Sequence, residues 1–314
     1  MLRRAVPLPH DRSMALITSE GAITARFARS IEIWTSSLLA DDGISTTLEG
    51  GGREIGARLL VKQHGTFAGR VVANQMLERW TADCRIEWIV SDGQVVSPGD
   101  LIGRLQGGVK DVLIIERVLV NLLQRLSGIA TTARVWSLSS PIPVAATRKT
   151  TWGLLDKWAV HLGGGLTHRL DREDGLMLKE NDMAASHPDL AHEERINLRL
   201  TSLSAEDIGS FAVVETRSRE EALAAARAWD SEKSKRSLTV MLDNIPSSEC
   251  SAIHRLLVDE GLRSRVLLEA SGGILFEDLD SWSVSGVDLL STSAIHRGTT
   301  PLDISMLLDE VDSG

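Results

Sequence analysis

Apolar and polar positions alternate over residues 84–90 (CRIEWIV), and Ser91-Asp92-Gly93-Gln94 follows with the residues of a hairpin turn. Residues 57–63 (ARLLVKQ) predict a strand, and Pro98-Gly99-Asp100 predicts a second turn. From Asp111 to about Trp136 the spacing changes. Val112, Ile115, Leu119, Leu122, Leu123 and Leu126 fall on one face of a long helix. Residues 24–107 open with a helical pattern, so this part reads as a small sheet with helices packed on it.

After Pro143 the rhythm becomes strand, helix, strand. Short apolar runs at 142–146, 176–178, 211–214, 238–242, 266–268 and 287–290 predict strands. Helical patterns at 152–162, 219–229, 248–257 and 276–284 separate several of them, which predicts a parallel sheet or barrel. In turn the strands lead into Thr147-Arg148-Lys149, Lys179-Glu180-Asn181, Glu215, Asp243-Asn244, Glu269-Ala270-Ser271-Gly272-Gly273 and Ser291-Thr292-Ser293. Parallel barrels carry their chemistry at the C-terminal ends of the strands. An order of cations, then acids, then small residues is more than a set of polar loops requires.

Composition narrows the picture. The 314 residues suffice for two domains or one large α/β unit. No uncharged apolar run is long enough to cross a membrane, and MLRRAVPLPHDRSM has no apolar stretch after its arginines, so residues 1–23 read as a loose N-terminal extension. Cys84 and Cys250 lack metal-ligand spacing and read as buried thiols in a reducing, cytoplasmic compartment. A net charge of −9 argues against nucleic acid as the partner. There is no tyrosine, so no step uses a phenol.

Against this acidic background, residues 148–170 (RKTTWGLLDKWAVHLGGGLTHRL) gather Arg148, Lys149, Lys157, His161, His168 and Arg169 with one acid, Asp156. Cations beside flexible backbone suit an anion supplied from outside. Gly163-Gly164-Gly165 lets backbone approach a ligand or adopt positive φ. Glu215 and Asp243, on neighbouring strands, suit magnesium, general acid–base work, or ion pairing with the arginines. Ser271-Gly272-Gly273 and Ser293-Ala294 suit a phosphate cradle. On pattern alone Glu116, Arg117 and Arg125 are helix-surface charges.

The stretches VVSPGDLIGRLQG, ERVLVNLLQRLSGIAT, ATRKTTWGLLDKWAVHLGGGLTHRL, GLMLKEN, VVET, VMLDN, LEASGGI and PLDIS, in this order, resemble the quinolinate phosphoribosyltransferase family. The resemblance implies a small N-terminal α/β sandwich and an open, incomplete α/β barrel, at 24–137 and 138–314, with a helix expected at about 302–314. It implies a homodimer, or a multiple of dimers, in which Arg117 enters the partner's pocket. It also implies transfer of phosphoribosyl from phosphoribosyl pyrophosphate to quinolinate with loss of carbon dioxide. The implied roles place Arg148, His168, Arg169 and the partner's Arg117 on the acceptor, and Lys149 and Lys179 on the donor. Glu215 and Asp243 face the ribose and magnesium, while Ser271, Gly272, Gly273, Ser293, Ala294 and Arg297 hold phosphate.

The chain departs from the family pattern at Trp152, where proline is usual, and at Glu180 and Asp182, where the usual residues are aspartate and histidine. Arg217 stands where an acid is usual, Ser293 replaces glycine, and Arg297 replaces a histidine. These changes leave open another carboxylated heterocycle as acceptor, or a regulatory homologue that binds anions without turnover. A lyase using Lys179 as a Schiff-base amine is a further alternative, which the neighbouring arginines oppose.

Overall fold

The computed structural model describes residues 8–204, 206–231 and 237–309. In chain order its elements are α1 (Ala25–Asp41), β1 (Glu54–Val61), β2 (Gly65–Thr66), α2 (Arg70–Trp80), β3 (Arg85–Trp88), β4 (Val95–Val96), β5 (Leu101–Gly108), α3 (Val109–Ser139), β6 (Val144–Ala146), α4 (Leu154–Leu162), β7 (Leu176–Leu178), α5 (Glu180–Ser186), α6 (His192–Thr201), β8 (Ala212–Thr216), α7 (Arg219–Ser231), β9 (Leu238–Asp243), α8 (Ser247–Asp259), β10 (Val266–Ser271), α9 (Leu279–Trp282), β11 (Leu289–Thr292) and β12 (Ile304–Leu308). No helix among the described residues is long and apolar enough to cross a membrane.

They form two compact units. One holds residues 13–135, 149–165 and the chain from Ile295. Its antiparallel sheet has the order β12-β1-β5-β3. Ala57, Leu59 and Val61 alternate into its core, as a half-buried strand requires. The helix expected at 302–314 is instead a strand where the chain is described: β12 pairs with β1, Leu59 facing Met306. The edge of β1 offers unpaired backbone groups, and a short apolar run satisfies them best by extending the sheet.

The other unit holds residues 8–12, 136–148 and 166–294. Its sheet has the order β6-β11-β10-β9-β8-β7 and every pairing is parallel. The strands are nearly continuous apolar runs, which suits a sheet covered on both faces. With β6 and β7 at the two edges, this is the open, incomplete α/β barrel. Two details differ from the sequence expectation. The helix expected over 276–284 is short, α9 following a 3-10 turn at Phe276–Asp278. The N-terminal extension is not loose where described: Leu8 packs on Ala145, Leu166 and Leu289, inside the barrel unit.

Candidate active site

Parallel strands in register bring residues distant in sequence to one edge of the barrel sheet. Glu215 lies beside Met241, and Met241 beside Glu269. Ser271 lies beside both Asp243 and Ser291. Arg148 follows β6 and Lys179 follows β7, so cations flank the row at both edges, while Glu215 and Asp243 stand between them.

The segment before β7 carries His168 and Arg169. His168 has φ 52°, a left-handed conformation that a β-carbon disfavours. Its Nδ1 accepts from the Arg169 N–H at 2.7 Å, which places the ring proton on Nε2. Nε2 faces both oxygens of Glu269 at 3.1 Å. Burial would raise the Glu269 pKa, but His168 and His10 pull it well below the usual carboxylate range. The His10 ring reaches Glu269 at 3.5 Å and the Thr239 hydroxyl at 3.2 Å. Both His168 nitrogens are thus used within the protein, and the ring orients Arg169 rather than offering a nitrogen to a ligand.

Arg169 is buried, donates to the Gly175 carbonyl at 3.3 Å, and keeps its Nε without a hydrogen-bond partner. Burial first, and then the charges of Arg148 and Arg172, lower its pKa from the usual guanidinium value. A buried guanidinium with an unmet donor is ready for an anion. The same segment is tied down by Asp174, which accepts from the Leu170 N–H at 3.0 Å and from Arg12 Nε and Nη2 at 3.2 and 3.0 Å.

The two carboxylates expected to hold magnesium already face cations. Lys179 Nζ lies 3.4 Å from Glu215. Arg217 lies 3.5 Å from Glu215 and 3.9 Å from Asp243, and it pairs with Glu180. Magnesium requires a near-octahedral shell of oxygens. Side chains so engaged do not fit a metal between them as they stand.

The turns after β10 and β11, expected to hold phosphate, have a defined geometry. Gly272 and Gly273 have φ of 89° and 60°, and a β-carbon on Gly272 would meet the Asn244 side chain at 2.3 Å. Asn244 is itself left-handed, at φ 57°, and its N–H donates to the Ser271 carbonyl at 2.8 Å. Only glycine permits this approach of the β10 turn to the β9 turn. After β11, Ser293 is half-buried and Ala294 exposed, and the Ala294 N–H donates to the Thr292 hydroxyl at 3.1 Å.

Within the other unit, Arg117 is an exposed side chain on α3, 3.9 Å from Glu116. Lys149 and Arg297 are exposed. Asp156 is buried and accepts from the Thr151 and Trp152 N–H groups at 2.7 and 3.1 Å and from Arg125 at 3.0 Å. Arg125 then covers the Trp152 ring at 4.7 Å. Arg125 is therefore an anchor for the 149–153 loop, not the surface charge its helical position suggested. The triple glycine serves packing first: a β-carbon on Gly163 would meet the Ala130 carbonyl of α3 at 2.4 Å. His296 is buried, and burial followed by Lys157, Arg125 and Arg297 lowers its pKa to about 4.

Family models for the N- and C-terminal domains of quinolinate phosphoribosyl transferase match residues 42–127 and 129–307. The chain belongs to the quinolinate phosphoribosyltransferase family. It is 32% identical over 263 residues to the chloroplastic carboxylating nicotinate-nucleotide pyrophosphorylase of Arabidopsis thaliana, covering 82% of this chain and 74% of that one. It is 32% identical to the probable carboxylating nicotinate-nucleotide pyrophosphorylase of Methanothermobacter thermautotrophicus, over 81% of this chain and 88% of that one. The crystal structure of NadC from Streptococcus pyogenes superposes with a TM-score of 0.74 at 26% identity, over 90% of this chain and 98% of that one.

Several residues around the candidate site were not singled out by the sequence pattern. His10 and Arg12 precede the matched region, and nothing local marks them. Glu269 was visible as an acid inside an apolar strand, a signal that a buried partner exists. Asp174 and Asp156 look like ordinary loop and helix acids until their backbone partners are seen.

Proposed function

We propose that this chain transfers phosphoribosyl from phosphoribosyl pyrophosphate to quinolinate, giving nicotinate mononucleotide, pyrophosphate and carbon dioxide. The observation that carries the reading is Arg169, a buried guanidinium with an unmet donor, close in sequence to the row of strand ends. Quinolinate is a dianion and its donor carries several more charges, so the carboxylates missing from this cationic site belong to the substrates.

Arg148 and Arg169 take the pyridine dicarboxylate, with His168 and Glu269 fixing the angle of Arg169. Lys149 and Lys179 meet the donor. Ser271, Gly272, Gly273, Ser293, Ala294 and Arg297 take the terminal phosphate, and Glu215 and Asp243 face the ribose. The ring nitrogen attacks the anomeric carbon as the bond to pyrophosphate breaks, and pyrophosphate leaves with the electron pair. Loss of the neighbouring carboxylate as carbon dioxide then leaves its electron pair on the ring carbon, where the positive charge of the adjacent quaternised nitrogen stabilises it, and that carbon takes up a proton. The protein contributes position and charge.

A homodimer, with Arg117 entering the partner's site, belongs to the same reading. Leu113 and Ile114 are exposed on α3 within one turn of Arg117, which supports a covered helix face there. The buried free thiols Cys84 and Cys250 support a reducing compartment such as the cytoplasm. The departures at 180 and 217 do not favour another acceptor, because Glu180 and Arg217 pair and their charges cancel.

The test is incubation of the purified chain with magnesium, phosphoribosyl pyrophosphate and quinolinate, with products read by mass spectrometry. Nicotinate mononucleotide and carbon dioxide in equal amounts are expected. Absence of both, with acceptor and donor each shown to bind, overturns the reading.

A further inference from the structure

The two departures at the barrel rim are one feature. The parallel pairing of β7 with β8 sets Leu178 beside Val214, so the residues just beyond the two strand ends are neighbours, and there Glu180 and Arg217 pair. The next pairing, of β8 with β9, brings Asp243 to the other side of Arg217. The guanidinium therefore touches Glu180, Glu215 and Asp243 together. Its backbone is fixed too, since the Arg217 N–H donates to Glu221 at 2.7 Å.

We propose that Arg217, held by Glu180, is the resident cation of the Glu215–Asp243 pair and stands in place of a protein-bound divalent ion. A divalent ion neutralises two carboxylates, but it must shed tightly held water to do so. A tethered guanidinium neutralises them with a planar fork of donors and no such dehydration. Lys179 already satisfies one face of Glu215, so an entering metal would have to displace two cations. Glu180 explains why Arg217 stays: an arginine beside two carboxylates could turn to solvent, and a third carboxylate on the outer side keeps it over the pair. With the pair neutralised from within, a multiply charged donor meets Lys179 and Arg217 directly. Any divalent ion then arrives on the donor's own pyrophosphate.

This deepens the phosphoribosyl-transfer reading and rests on it for the role of the two carboxylates. The test needs no turnover, so it remains decisive if the chain transfers nothing. Manganese binding to the full chain, without donor, is titrated by the electron paramagnetic resonance signal of free Mn²⁺. The native chain and its Asp243→Asn variant are expected to bind equally weakly, because the pair is already neutralised. The double variant Glu180→Gln with Arg217→Gln keeps the local net charge and should gain a site at least about tenfold tighter. Adding Asp243→Asn should remove that gain. Arg217→Ala alone gives the same comparison if the double variant folds poorly, with circular dichroism confirming each fold. The proposal is overturned if Asp243→Asn weakens Mn²⁺ binding in the native background, or if removing Arg217 creates no tighter site.

Discussion

His168 Nε2 lies 3.1 Å from both carboxylate oxygens of Glu269, and both residues are buried. The charge that His168 sees is fixed by a residue on a strand 101 positions away in sequence. Replacing Glu269 by glutamine keeps the shape but removes the negative charge and leaves one amide N–H without an acceptor. The expected outcome is a rise in the acceptor KM of about tenfold or more, near the cost of one charged hydrogen bond, with a smaller change in kcat. Steady-state kinetics with each substrate varied in turn checks it. An unchanged acceptor KM would show that Arg169 keeps its place without the pair.

Arg12 extends the same argument to the N-terminal segment. Its bidentate contact with Asp174, and its N–H to the Thr167 hydroxyl at 2.7 Å, hold the chain on either side of His168 and Arg169. Arg12→Ala should raise the acceptor KM by several-fold to about tenfold while leaving the donor KM within twofold. Arg12→Lys should recover only part of the loss, because a point charge lacks the fork. Equal changes in both KM values would point to general loosening of the barrel.

The barrel and the order of its strand ends could be read from the chain because both are periodic: short apolar runs, then polar residues, repeated along one direction. Arg148, Lys179, Glu215, Asp243 and the Ser271-Gly272-Gly273 turn were found this way. What escaped was non-periodic. Asp156, Asp174 and Glu269 act by accepting bonds from groups up to 162 positions away, and no local pattern encodes such partners. The pairing of Glu180 with Arg217 escaped for a related reason. Each looked like an isolated charge reversal until strand pairing set them side by side. The terminal strand was misread as helix because a five-residue apolar run carries no period of its own; the free edge of β1 decided it.

Asp156 is a test of stability more than of binding. It is fully buried and accepts from two backbone N–H groups and from Arg125. Asp156→Asn can keep an oxygen for the two N–H groups, which both donate to Oδ2, but it leaves Arg125 without its counter-charge and sets an amide donor against the Arg125 Nη2. The expected loss is about 3 kcal/mol of unfolding free energy, the usual cost of removing one partner of a buried pair. Urea denaturation of variant and native chain measures it. A loss below about 1 kcal/mol would mean that solvent or the Trp152 ring replaces the carboxylate.

His296 gives the chain a stability that depends on pH. Its folded pKa lies at about 4, below the ordinary value near 6.5, because it is buried and faces Lys157, Arg125 and Arg297. Above pH 6.5 both folded and unfolded forms carry the neutral ring, and the group contributes no slope. Between pH 6.5 and 4 the unfolded ring takes up a proton that the folded ring refuses. Lowering the pH through this window therefore favours unfolding, by on the order of 3 kcal/mol once pH 4 is reached. Replacing His296 by asparagine removes this contribution but leaves the carboxylates titrating as before. The native chain should thus lose more stability than His296→Asn between pH 7 and pH 4.5, measured by urea midpoints at each pH. Parallel losses in the two proteins would mean that His296 is charged in the folded state and that the three cations around it are balanced by another group.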